Sequence, residues 1–167
     1  MEFTFDEENG IIIDKATGER CITFAKPILE HIFTRLNEVF QSGSRVIIAE
    51  AFKAAGKWYA SQIPETTKKD LATFLSTAVQ RFKDAGLGRI EIVEFNPKKL
   101  ELTFRIWNNI FAEMYQDDAT YCYGVEAYVS GISEQLIGVT PKIHKTKCLG
   151  KGDPYCEWHL SPPTLEE

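Results

Sequence analysis

Two hydrophobic periods in one chain predict an α+β fold, with an N-terminal β-meander and helices grouped on one side of an antiparallel sheet. Three observations carry this expectation. Between Pro27 and Ala85 the apolar residues fall into three successive stripes at helical spacing. After Gly86 and Gly88 the spacing switches to strict alternation, the period of a half-buried strand. The sequence then closes on two short strands around the turn residues Gly150, Gly152, Asp153 and Pro154.

Asn9-Gly10 and Thr17-Gly18 punctuate the meander, in which Phe3 to Phe5, Ile11 to Asp14 and Arg20 to Phe24 read as strands. Pro27 suits the first turn of a helix that carries Ile28, Leu29, Ile32, Phe33, Leu36, Val39 and Phe40, and Ser42-Gly43-Ser44 stops it. Val46 to Ile63 forms a second helix ended by Pro64. Thr66 or Thr67 is placed to cap a third, running to about Ala85 with Leu71, Phe74, Leu75, Ala78 and Phe82 inward. Arg89 to Phe95 and Leu100 to Trp107 make an antiparallel hairpin with Leu100, Leu102, Phe104 and Ile106 on one face. A fourth helix spans about Ala119 to Ile137, capped by Asp117-Asp118 and terminated by Gly138. Lys142 to Cys148 and Tyr155 to Leu160 are the closing strands. With no repeat, low-complexity linker or shift in composition, residues 1–167 read as a single domain.

Composition narrows the function. A net charge of -5 argues against a nucleic-acid partner, because phosphate contacts need clustered Lys and Arg, and the basic run Lys142 to Lys151 reads as a solvated strand face. No apolar run approaches bilayer length and the acidic N-terminus is unlike a signal peptide, so a cytoplasmic location with no membrane contact is expected. Four cysteines are too few for a disulfide framework, and a reducing compartment favours free thiols or metal.

The chemistry-bearing residues concentrate at the end of the chain. Cys148 and Cys156 flank the Gly-rich turn, and two thiolates on such a knuckle are half of a tetrahedral zinc site. Their C-x7-C spacing is wider than the common zinc spacing, which leaves buried thiols or a Cys148–Cys156 disulfide as alternatives. No Ser-His-Asp pattern, phosphate-binding loop, dinucleotide fingerprint or H-E-x-x-H occurs, so no nucleotide cofactor is expected. Glu113, Glu126 and Glu134 are helix carboxylates of the solvated kind. Phe52, Trp58, Tyr59, Trp107, Phe111, Tyr123 and Tyr128 converge from helices and a strand end, while Ala127, Ser130 and Gly131 allow close backbone approach. Such a set either lines a pocket for a flat apolar ligand or fills a core.

The stretch CLGKGDPYCEWHL resembles the terminal signature of the 4-vinyl reductase domain family. The likeness extends upstream through Trp107-Asn108-Asn109-Ile110-Phe111-Ala112-Glu113, Cys122 and the helix Ala127-Tyr128-Val129-Ser130-Gly131, with Ala54-Ala55-Gly56 similar to an earlier helix. It implies the sandwich shared with small subunits of the TRAPP tethering complex and haem nitric-oxide-binding domains. It also implies a site for small hydrophobic or aromatic effectors; from the supply of aromatics in the chain itself, His31, Phe52, Trp58, Trp107, Phe111 and Tyr128 are the expected ligand contacts, with His31 and Trp107 orienting a hydroxyl. In zinc-binding members a helix Cys, both hairpin Cys and a Glu three residues before the first of them hold the metal. The resemblance thus makes Cys122, Cys148 and Cys156 zinc ligands, but Lys145 stands where the Glu belongs and a protonated amine donates no lone pair. His144 is the nearest substitute, although about 13 Å separates it from Cys148 on an extended strand at ~3.3 Å per residue.

The expected function is a sensor-type domain that binds a small apolar or aromatic molecule, carries a structural zinc and forms a homodimer through its long helices. A tetrapyrrole vinyl-reductase-related enzyme or accessory protein and an assembly subunit with a filled core are the alternatives.

Overall fold

The computed structural model describes residues 3–15, 17–64, 70–114 and 121–163. Two sheets and a helical layer account for them. Strands β1 (Phe3–Asp6), β2 (Ile11–Asp14) and β3 (Arg20–Cys21) form the antiparallel meander in the order β1-β2-β3. The third strand is shorter than expected and stops at Cys21, leaving Ile22 and Phe24 exposed.

Helices α1 (Lys26–Phe40) and α2 (Ser42–Ser61) follow with Gln41 alone between them. Ser42-Gly43-Ser44 was expected to break the chain and instead forms the first turn of α2. Gln41 takes the whole bend in a positive-φ conformation of 49°. Buried Ser44 then secures the junction, its Oγ donating to the Gln41 carbonyl at 2.6 Å and reaching the Asn37 side chain. Helix α3 (Leu71–Asp84) starts at Asp70, whose carboxylate accepts from the Ala72 and Thr73 amides at 3.1 and 3.4 Å, a regular N-cap. The caps expected at Thr66, Thr67, Asp117 and Asp118 lie outside the described residues.

The main sheet contains β4 (Arg89–Asn96), β5 (Glu101–Trp107), β6 (Lys142–Lys147) and β7 (Cys156–Ser161), all antiparallel in the order β4-β5-β7-β6. Leu100, read as part of β5, instead closes the preceding turn at a φ of 55°. A four-residue helix α4 (Ile110–Glu113), too short to leave a periodic signal, follows β5, and α5 (Tyr123–Ile137) ends on Gly138 in the left-handed conformation expected of it.

Register sorts the two faces of the sheet. Leu102, Phe104 and Ile106 of β5 stand opposite Leu160, Trp158 and Cys156 of β7, and Phe104 stacks on Trp158 at 5.2 Å. These side chains are buried or partly buried against the helices, while Thr103, Arg105, Glu157 and His159 of the opposite face remain half-buried or exposed. The expected α+β arrangement, helices on one side of an antiparallel sheet, is the one observed. Among the described residues no helix is long and apolar enough to cross a membrane.

Candidate metal centre and ligand cavity

The terminal hairpin and the start of α5 bring three cysteines together. Cys148 directly follows β6 and opens a single 3-10 turn over Leu149–Lys151, and Cys156 is the first residue of β7. The turn is closed by Asp153, whose Oδ2 accepts the Cys148 amide at 2.8 Å, and by Gly152, whose φ of 94° excludes most side chains. Cys122 immediately precedes α5. Its Sγ lies 4.0 Å from Cys148 Sγ and 3.9 Å from Cys156 Sγ, and all three sulfurs lie within 4.8 Å of one another.

These separations fit a tetrahedral metal. Zinc–sulfur bonds of about 2.3 Å put adjacent corners about 3.8 Å apart. All three thiols are free and buried, as a closed structural site requires. Two donors already point at the sulfurs: the Leu149 amide at 3.3 Å from Cys156 Sγ and Asn109 Nδ2 at 3.7 Å from Cys122 Sγ. Hydrogen bonds from Cys122 and the Leu149 amide lower the Cys156 thiol below its ordinary range against the opposing effect of burial. The same contact with Cys156, then burial, raises Cys122.

His144 does not join them. It stands opposite His159 on the exposed face of the sheet, so strand alternation points it away from the thiols. Lys145 is on the inner face, in register with Trp158, and its charge acts on Cys122. Asn109, wholly buried and held through Phe111 N–H donating to its Oδ1 at 3.2 Å, was missed as a member of the site. Only its place in an Asn-Asn pair at a strand exit marked it.

A cavity of about 460 Å³ separates the helical layer from the inner face of the sheet. Phe52 and Tyr59 of α2, Phe111 of α4 and Tyr128 of α5 line it opposite Phe104 and Ile106, and half-exposed Trp58 stands at its edge. The wall is almost entirely apolar. The polar exceptions include Asp14 and Arg81, 3.4 Å apart as an ion pair, with the Arg81 guanidinium 5.5 Å from the Tyr59 ring centre. Burial raises the Tyr59 and Tyr128 hydroxyls, which stay neutral at physiological pH.

Two expected ligand contacts are elsewhere. His31 is exposed on α1 and lies outside the lining. Trp107 belongs to the other sheet face, where its Nε1 donates to Glu91 at 2.8 Å and its ring packs 4.8 Å from Tyr155. Of the three helix carboxylates, Glu126 accepts Trp158 Nε1 at 3.0 Å, Glu113 pairs with Lys26, and Glu134 is held by Lys53 and Lys57. Each has a structural partner.

No protein-family model and no curated protein matches this sequence. Solved structures do. The phenol-responsive sensory domain of the transcription activator PoxR, crystallised with phenol, superposes with a TM-score of 0.76 at 18% identity over 96% of this chain and 84% of that one. A vinyl-4-reductase family protein from Methanocaldococcus jannaschii matches with a TM-score of 0.59 at 12% identity, covering 86% and 84% of the two chains. The chain has the 4-vinyl-reductase-like fold. A trafficking protein particle complex subunit 3 from Naegleria fowleri, covalently bound to palmitic acid, shares it at a TM-score of 0.59 and 11% identity over 85% and 98%. An H-NOX domain shares it as well. In this 4-vinyl-reductase-like fold the cysteine cluster joins the start of α5 to the start of β7, two elements that also wall the cavity.

Proposed function

We propose that residues 1–167 form a single sensor-type domain that binds a small apolar or aromatic molecule between its helices and sheet. The observation that carries this reading is the cavity itself. About 460 Å³ of apolar-lined space lies within the usual range for a ligand site, and a filled core packs without voids of that size. The likeness to a sensory domain crystallised with phenol supports the same reading.

A structural zinc ion belongs to the proposal. Cys122, Cys148 and Cys156 would hold it, with Asn109 and the Leu149 amide as outer donors. Bound zinc supplies a cross-link between helix and hairpin rather than a reacting centre. By fixing the starts of α5 and β7, the thiols keep two cavity walls at constant spacing.

The proposed homodimer uses the outer surface of α1 and α2. Ile28, Ile32, Val39 and Phe40 of α1 and Val46, Ile47 and Trp58 of α2 are all exposed, and monomeric proteins rarely leave large apolar patches to water. Placing this surface in a dimer puts Trp58, at the cavity edge, next to the interface, which offers a route from ligand to partner.

One experiment addresses the ligand and the metal together. Freshly purified protein is analysed for zinc, then heated with and without phenol, naphthalene and indole. One zinc per chain and a rise in melting temperature that saturates with ligand are expected, because a ligand specific to the folded state stabilises it by mass action. An unchanged melting temperature across all three compounds refutes the ligand site, and less than half an equivalent of zinc refutes the metal.

A further inference from the structure

Strand register places two of the chain's three histidines side by side on the sheet face turned away from the helices. His144 of β6 stands directly opposite His159 of β7, and both are exposed. Residues paired in this way across antiparallel strands hold their Cβ atoms about 4.5–5.5 Å apart, with both side chains on one face. Two imidazole nitrogens bound to one metal ion at about 2.0–2.1 Å sit about 3 Å from each other. A cross-strand pair can close that gap by side-chain rotation alone. One of the two rings is already held. Thr103, the neighbour of His159 on β5, has its Oγ1 3.0 Å from His159 Nδ1. With the proton on Nδ1 the ring donates to Thr103, and Nε2 keeps its lone pair for a cation. Histidine ligands generally have this support, the second nitrogen donating to an outer partner that fixes ring and tautomer. Glu157, two residues from His159 on the same face, is engaged by Arg105 at 2.6 Å and by Thr146 at 2.8 Å. The remaining coordination positions therefore fall to water.

We propose that His144 and His159 form an exchangeable surface site for a divalent transition-metal cation, separate from the buried cysteines. Two imidazole donors select copper, nickel or zinc over magnesium and calcium, which prefer oxygen ligands. The site differs in kind from the thiol cluster, whose three side chains are closed off from solvent. It also bears on that cluster. β6 is the edge of the described sheet and pairs with β7, and the same hairpin presents Cys148 and Cys156 at its turn. A cation held by one histidine from each strand fastens the edge strand to its neighbour.

Titration calorimetry of protein carrying no histidine tag tests this with nickel(II), an ion that does not oxidise thiols. Saturable binding is expected. His144→Gln and His159→Gln should each weaken it at least about tenfold, the scale on which a metal site responds to loss of a supporting group. His31→Gln, which changes the exposed histidine of α1, should leave it unchanged. The double variant His144→Gln/His159→Gln separates this face from the thiols, because nickel taken up by the cysteines persists in it. Hydrogen exchange of residues 142–147 in the wild-type protein is expected to slow when nickel is added, a readout that needs no variant to fold. Nickel binding with wild-type affinity to the double variant, an equal loss in His31→Gln, no saturable binding by the wild-type protein, or exchange of residues 142–147 unchanged by nickel each overturns the site.

Discussion

Gly56 and Gly131 face each other across the crossing of α2 and α5, each packed against the backbone of the opposite helix. A methyl group on Gly56 would run into the Tyr128 carbonyl, and one on Gly131 into the Lys53 carbonyl. The small-residue run Ala127 to Gly131 therefore serves helix–helix contact, and Gly131 points at α2 rather than into the cavity.

Gly131→Ala is expected to cost stability without a direct effect on ligand contacts. Overpacking against backbone, which cannot turn aside as a side chain can, costs about 1–3 kcal/mol or more. Chemical denaturation with the transition midpoint as readout checks it, and a midpoint within error of wild type contradicts the close crossing.

The zinc site proposed at the cysteine cluster predicts a metal-dependent stability. Cys148→Ser is expected to lower zinc to a small fraction of an equivalent and to lower the melting temperature, because metal binding is coupled to folding. A chelator should shift the wild-type protein towards the variant and leave the variant unmoved. Equal melting temperatures with and without chelator would show that buried thiols alone hold α5 to the hairpin.

How much of this was legible beforehand depended on the range of each signal. The switch from helical to alternating spacing at Gly86 and Gly88 set the order of elements, since periodicity is local. Cys122, Cys148 and Cys156 were brought into one group by the family signature. His144 was assigned on nearness in sequence, and strand alternation turned it to the other face. Trp107 was lost for the same reason: an aromatic at a strand end has no pattern beyond it to fix its side of the sheet. Asp14 carried no signal at all, because its partner Arg81 is set by how the meander meets α3 and not by anything near it in the chain. At the α1–α2 junction, the breaker residues were real but one residue, Gln41, sufficed for the turn.

Acid should weaken the α2–α5 contact in a definite window. Lys53 Nζ at 2.6 Å, Lys57 Nζ at 2.5 Å and Thr140 Oγ1 at 2.6 Å push Glu134 down from 4.5 to about 2. Its folded pKa is depressed, so its stabilisation is fully present above 4.5 and is lost as pH falls towards 2. Glu134→Gln should therefore lower melting temperature at pH 6 and have a flatter profile between pH 4.5 and 2.5 than wild type. Parallel profiles for the two proteins would rule out the clamp.

The homodimer proposed through the exposed stripe on α1 predicts an oligomeric state sensitive to one charge. Ile32 and Ile28 lie one turn apart on it. Ile32→Glu is expected to convert a dimer at tens of micromolar into a monomer with an unchanged circular dichroism spectrum. Light scattering reads the mass directly, and a wild-type monomer at that concentration disposes of the interface.

Occupancy of the cavity is the central claim, and a heavy atom locates the occupant directly. Crystals of the protein soaked with 4-bromophenol are measured at the bromine absorption edge. A single strong anomalous peak is expected inside the space enclosed by Phe104, Tyr128 and Leu136, with those side chains still apart. A map with no bromine there, and with Phe104 and Tyr128 collapsed together to fill the space, would contradict the account.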